Sequence, residues 1–209
     1  MIALALTPAL LIGVFSHQQT SKSLKQEVFN SLNQTADMAV ELVIEWFHVR
    51  QLDVESLAST RLVVPVTAQL TQLLNENERP ILELLNSPEA QAISESSRKL
   101  LSGYHERYQY IEDIYIVSVT GDIILTTRQE AELGKNIDDV IFSSTRFARS
   151  VRGVIESGET QFSDLELWPN HDDQHYGFFI TPIFNPDREI IGAFSIRANL
   201  VSLMNTLQG

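Results

Sequence analysis

Arg146, Arg149 and Arg152 stand three residues apart in a chain that otherwise runs acidic, with 27 Asp and Glu against 15 Lys and Arg and a formal net charge of −12. A guanidinium binds a carboxylate through two parallel hydrogen bonds, so one reading of this basic stripe is an anionic small-molecule ligand. The other is a solvated helix face whose arginines pair with Glu156 or Asp164. Tyr115, Trp168, Tyr176 and Phe178 are the aromatic candidates for the walls of such a site, since most small-molecule sites combine aromatic walls with a few polar anchors. Core packing is an equal reading for each of them, and for Phe178 it is the stronger one. Asp164 is placed to orient a ligand amine or hydroxyl, or else to cap a turn. Tyr115, Arg146, Asp164, Trp168, Tyr176 and Phe178 are therefore the expected ligand-binding residues.

Other chemistries find less support. His171-Asp172-Asp173-Gln174-His175 gathers metal-capable side chains, but consecutive residues in a turn rarely converge on one ion, so a solvated turn is expected and no metal or cofactor. There are no cysteines, which excludes disulfides, thiolate catalysis and cysteine metal sites. The sequence has no Gly-x-Ser-x-Gly elbow, phosphate-cradling glycine loop or His-Glu-x-x-His pair, so no enzyme is expected, a hydrolase using Asp164 and a nearby His being the remote exception. The net charge argues against nucleic acid, whose binding relies on Lys and Arg to displace counterions.

The candidate residues need a scaffold, and the chain supplies one in order. Ile114 to Val119 and Ile123 to Thr127 are β-branched and aromatic runs on either side of Thr120-Gly121-Asp122, a hairpin signal. A helix capped by Ser143 or Ser144 and closed by Gly158 follows, with Phe147, Val151, Val154 and Ile155 on its buried side. Strands are expected over Phe162–Trp168, Tyr176–Phe184 and Ile190–Ala198. The fold class is α+β: a long N-terminal helix and shorter helices, then a five-stranded antiparallel sheet with helices on one side. The long connection Arg128–Glu159 is where a small sheet would hold a ligand.

Upstream, Ser21 to about Arg61 lacks Gly and Pro and repeats apolar residues at Leu24, Val28, Leu32, Ala36, Ala39, Val43 and Trp46, with Met38, Leu42 and Phe47 widening the face. At 1.5 Å per residue such a helix runs to about 60 Å, too long for one small domain, so a dimer stalk is expected beside core packing within the chain. Shorter helices are expected over Val66–Leu74, Ile81–Leu85 and Glu89–Tyr108, the last with Ser87 as N-cap and Pro88 opening it. Met1 to Phe15 is apolar apart from Thr7 and uncharged, but shorter than the 20 or so residues of a membrane span. Residues 1–16 are read as a transmembrane helix whose start is missing, with a cleaved signal peptide or an interfacial helix as the other readings. Residues 17–103 form the helical stalk and helical region, 104–200 the sheet domain, and 201–209 the start of an exit helix.

Four pieces in this order carry a family resemblance: Tyr108 to Val117 with Gly121-Asp122, then Leu133-Gly134-Lys135-Asn136-Ile137, then Phe162-Ser163-Asp164, then Thr181-Pro182-Ile183-Phe184 through Ile191-Gly192-Ala193. Over about residues 104–200 the chain resembles the Cache family, PAS-like extracytoplasmic sensor domains of bacterial chemoreceptors, histidine kinases and nucleotide cyclases. The resemblance implies a small-molecule ligand, a periplasmic sensor domain anchored in the inner membrane through the N-terminal helix, and a cytoplasmic output beyond Gly209. The family's amino-acid-binding members carry an Arg-x-Trp-Tyr signature where this chain has Arg146-Phe147-Ala148-Arg149, a departure that counts against an amino-acid ligand. A structural or dimerisation domain that senses a partner protein is the alternative function.

Overall fold

The structure, a computed structural model, describes residues 3–169 and 174–200, with side chains from Leu24 onward. The first helix, α1 (Ala3–Ala58), is 56 residues long and so starts well before the expected Ser21. The chain divides into two compact units, Met1–Glu45 and Trp46–Gly209. Within the first, Leu24, Val28, Leu32, Met38 and Leu42 are all at least half exposed, whereas Trp46, the last residue of the stripe read from the sequence, belongs to the second unit and is buried. The transmembrane expectation for residues 1–16 falls where side chains are not described; among the described residues, no helix is long and apolar enough to cross a membrane. The expected exit helix at 201–209 lies outside the described residues.

In the second unit α1 ends at Ala58, and Pro65 sits in the first turn of α2 (Val64–Asn75), where a missing N–H costs nothing. The short α3 (Ile81–Leu85) leads to α4 (Pro88–Arg107), whose N-cap Ser87 accepts from the Ala90 N–H at 3.3 Å. Its last turn carries His105 and Arg107, the charge sign that the negative end of a helix favours.

The sheet has six strands rather than five. They are β1 (Ile111–Ser118), β2 (Ile123–Thr126), β3 (Gln161–Phe162), β4 (Glu166–Leu167), β5 (His175–Phe184) and β6 (Ile190–Ala198). Their order is β2-β1-β6-β5-β3, all antiparallel, with β4 also on β5. The single strand expected over Phe162–Trp168 is broken into β3 and β4. Asp164 stands at φ 65° between them, and the Ser163 hydroxyl accepts the Phe178 N–H that a continuous ladder would have used. The β2 edge is covered in part by the loop after it, where Gly134 N–H donates to the Ile123 carbonyl and Ile123 N–H to the Lys135 carbonyl, both at 2.8 Å. Gly134 has φ 77°, and a Cβ there would lie 3.0 Å from the Leu82 backbone, so glycine is required on both counts.

Helices cover both faces, not one. On the first face Ile114, Ile116, Phe179, Phe194 and Ile196 are fully buried, and the rings of Trp46 and Phe47 from α1 stand 5.9 and 5.7 Å from Phe179. On the second lies α5 (Arg146–Ser157), which buries Phe147, Ala148, Val151 and Val154 against Tyr115, Val117, Phe178 and Ile180. Its N-cap is Thr145, two or one residues later than the expected Ser143 or Ser144, with the hydroxyl accepting from Ala148 N–H at 3.0 Å; Gly158 closes it at φ 71°, as expected.

Candidate functional site

Strand alternation determines what the α5 face can hold. With a period of two, β1 presents Asp113, Tyr115 and Val117 to that face, and β6 presents Ala193, Ser195 and Arg197. Register then forms two rows across the sheet: Thr126, Tyr115 and Ser195 in one, Asp113, Arg197 and Phe178 in the next. A hydrophobic face thus carries a compact set of polar groups.

Arg197 is the centre of the set and only 1% exposed. Its NH1 donates to the Tyr115 hydroxyl at 2.8 Å and its NH2 to Glu130 Oε2 at 3.0 Å. Glu132 Oε1 lies 3.8 Å from NH1 and accepts the Trp168 indole N–H at 2.9 Å. The guanidinium also lies over the Tyr176 ring, 4.9 Å from its centroid, a cation–π placement. Asp113, fully buried, directs Oδ1 at four donors: Ile114 N–H at 2.7 Å, Thr127 N–H at 3.0 Å, Arg128 N–H at 3.2 Å and the Thr127 hydroxyl at 2.5 Å. The Thr127 hydroxyl in turn lies 2.6 Å from His105 Nε2 on α4.

Burial governs the electrostatics. It pushes the Asp113 carboxyl up from its ordinary value, with the Thr127 hydroxyl and Arg197 acting against it. It also raises the Tyr115 phenol, helped by the charge of Asp113, and the Tyr176 phenol. For Arg197 burial opposes the charge, but Tyr115, Asp113 and Glu130 outweigh it and hold the guanidinium ionised.

Three buried oxygens on this face, Asp113 Oδ2, Thr126 Oγ1 and Ser195 Oγ, have no hydrogen-bond partner among the described residues. Each such atom costs about 1–3 kcal/mol, and native cores hold few of them. All three flank Tyr115 or Arg197. The walls are aromatic: Trp168 and Phe147 each stand 4.6 Å from Phe178, and Phe142 5.4 Å from Trp168. α5 is fastened over them by the Glu166 carboxylate, which accepts the Arg146 and Phe147 N–H groups at 2.7 and 2.8 Å and so occupies the helix N-terminus.

No family model and no curated protein matches the chain. Solved structures do. The ligand-binding domain of the Campylobacter jejuni chemoreceptor Tlp3, in complex with 4-methylisoleucine, superimposes with a TM-score of 0.51 at 15% identity, over 83% of this chain and 60% of that one. The two share a fold, and it is the fold that the resemblance to the Cache family implies. The sensor domain of the V. cholerae histidine kinase DctB (TM-score 0.44, 18% identity, 80% of this chain and 60% of that one) is also similar. So is the ligand-binding domain of the Pseudomonas aeruginosa chemoreceptor PctC in complex with GABA (0.48, 13%, 85% and 66%). The chain thus spans about 60% of the length of the first two and 66% of the third.

On the sheet, the structure brings four of the six expected residues together: Tyr115, Trp168, Tyr176 and Phe178 share the α5 face. Arg146 and Asp164 are elsewhere, paired with each other at an exposed position, their side chains 47% and 69% accessible. Arg149 is exposed and borders, with Arg146, a shallow cavity of about 290 Å³. Arg152 pairs with Asp138. The basic stripe is thus largely the solvated face that was its second reading. Of the acidic turn, residues 170–173 lie outside the described residues; among the described ones, no group of His, Asp and Glu could hold a metal. A larger open cleft, about 570 Å³, lies away from the cluster, between the end of α1, the start of α2 and Thr181, Pro182 and Phe184 of β5.

The residues that sequence reasoning missed are Asp113, Thr126, Glu130, Glu132, Ser195 and Arg197. Two of them carried a signal: Arg197 is the lone charge of β6, and Asp113 stands with Glu112 at the start of a strand that carries no other charge.

Proposed function

We propose that the chain is the extracytoplasmic sensor region of a bacterial membrane receptor, and that it binds a small organic ligand on the α5 face of its Cache sheet. The observation that carries this reading is the buried polar cluster around Arg197 and Tyr115, with its three unpartnered oxygens. A fold stabilised by packing alone has no need of a buried guanidinium among carboxylates, and replacing such groups with hydrocarbon is commonly neutral or stabilising. Groups kept there at a cost are suited to a ligand's polar atoms.

Charge narrows the ligand class. Among the described residues the cluster holds three carboxyl groups, Asp113, Glu130 and Glu132, with Arg197 and, 4.0 Å from Glu130, Arg128 as its cations, which suits a ligand bringing a cationic group, an amine foremost. Trp168, Tyr176 and Phe178 would supply the walls. An anionic ligand at Arg146 is less favoured, because Asp164 already neutralises that arginine. The region has no catalytic role in this reading. Binding would bias α5 and the sheet between two arrangements and pass the difference to membrane helices and a cytoplasmic output. The exposed apolar stripe of Leu24, Val28, Leu32, Met38 and Leu42 suits a second copy of α1 and hence a homodimer.

Thermal-shift screening of the purified chain against amines, amino acids and organic acids tests the reading. An amine-bearing compound is expected to raise Tm in a concentration-dependent way, and Arg197→Met should abolish the rise. A set of such compounds that leaves Tm unmoved would favour the alternative of a structural domain sensing a partner protein.

A further inference from the structure

The hydrogen bonds around His105 need more protons than a neutral imidazole carries. Nδ1 lies 3.2 Å from the Ile111 carbonyl oxygen, which can only accept. Nε2 lies 2.6 Å from the Thr127 hydroxyl oxygen. That hydroxyl has one proton, and it is directed at Asp113 Oδ1 at 2.5 Å. Its oxygen already accepts from Ile114 N–H at 3.2 Å, so towards His105 it can only accept again. Both ring nitrogens therefore face acceptors, and only the imidazolium satisfies both.

A neutral ring forces a choice. If the proton stays on Nε2, the Nδ1 lone pair faces the Ile111 carbonyl. If it stays on Nδ1, the Thr127 hydroxyl must turn its proton to Nε2, and Asp113 loses its shortest hydrogen bond. The charged groups nearby by contact or sequence are Asp113, reached through Thr127, the Arg128–Glu112 ion pair beside the strand ends, and Glu106 and Arg107 on the same turn of α4.

We propose that His105 is a positioning residue for the buried cluster: on losing its Nε2 proton, and keeping the one on Nδ1 for the Ile111 carbonyl, it turns the Thr127 hydroxyl away from Asp113, and so links the C-terminal turn of α4 to the face around Arg197. Histidine is the side chain suited to this between about pH 5 and 8. The meaning of the link for ligand binding rests on the sensor reading above, but the link itself does not.

The test is nitrogen NMR on the full chain, reading the His105 ring and the amides of Ile114, Thr127 and Arg128 from pH 5 to 8. At the acid end both ring nitrogens should report as protonated. As His105 loses its proton, the three amides should move with the same midpoint. Their hydrogen exchange, corrected for intrinsic base catalysis, should become roughly fivefold to tenfold faster. Thr127→Val keeps the branched shape and should uncouple Ile114 and Arg128 from the ring. His105→Gln, at a half-buried helical position, should remove the pH response altogether and carries the test if the valine variant does not fold. Amides that ignore the His105 midpoint, or that keep the same pH response in His105→Gln, would overturn the proposal. A compound screen without a hit would count against the sensor reading and leave this link untouched.

Discussion

The two faces of the sheet are made from alternate residues of the same strands, and their chemistry is opposite. Against α1, α2 and α4 the centre is hydrocarbon: Ile114, Ile116, Phe179, Phe194 and Ile196, all fully buried, with no charged side chain among them. Under α5, one residue along each strand, stand Asp113, Tyr115, Ser195 and Arg197, equally buried. A single-residue step therefore separates a face that only needs to pack from one that holds charge at a cost. Packing stabilises both faces, and on the second it must also offset the cost of the buried polar groups.

Breaking the hydrocarbon face should have the largest effect. Phe194→Ala removes a fully buried ring from between β1 and β5 and should cost about 3–5 kcal/mol, read as a lower denaturant midpoint at unchanged slope. Breaking the polar face should come next. Arg197→Met leaves Glu132 and Asp113 buried without their cation, which should cost about 3 kcal/mol at neutral pH. Adding Glu132→Gln should restore part of that loss, because the cost arises from uncompensated charge rather than from lost packing. The same double substitution on the hydrocarbon face has no counterpart. Smaller still, Tyr115→Phe deletes one acceptor of Arg197 without changing shape and should cost about 1 kcal/mol.

The sequence made one face far more legible than the other. Ile81–Leu85 and Ile190–Ala198 were expected with the observed ends, and Ser87 as the cap of α4, because long apolar runs and a Ser-Pro pair are local signals. The α5 cap was displaced to Thr145 because three hydroxyl residues stand in a row, and only the tertiary position of Phe142 and Phe147 selects among them. The break at Asp164 depends on the Ser163–Phe178 hydrogen bond, a long-range contact with no local trace. For the site, large aromatics in strands marked Tyr115, Trp168, Tyr176 and Phe178. The arginine triplet drew attention because three-residue spacing puts side chains on one helix flank, but only the burial of Phe147, Val151 and Val154 decides that this flank meets solvent. Asp113 and Arg197 were visible as charges and not as partners. Their meeting depends on the β1–β6 register and on the irregularity between Ile111 and Asp113, neither of which is written in either strand alone.

The finest contrast between the faces is in their response to pH. The five hydrocarbon side chains at the centre of the first face have nothing to titrate, whereas Asp113 is a carboxyl whose burial raises its pKa above the ordinary 3.8. Between that ordinary value and the raised one, the folded chain holds a proton that the unfolded chain has released. Stability must then fall as pH rises through this window and level off above it, opposite to the usual salt-bridged carboxylate. Asp113→Asn keeps an oxygen for the four donors at Oδ1 but removes the titration. Subtracting the variant's stability profile from the parent's, by urea midpoints between pH 3.5 and 7, should leave a difference that declines with rising pH. The effect is a change of slope rather than a displaced curve, and so the smallest of these. A flat difference would mean that Asp113 is no more desolvated in the fold than in the unfolded chain, and the contrast between the faces would then lie in Arg197 and Glu132 alone.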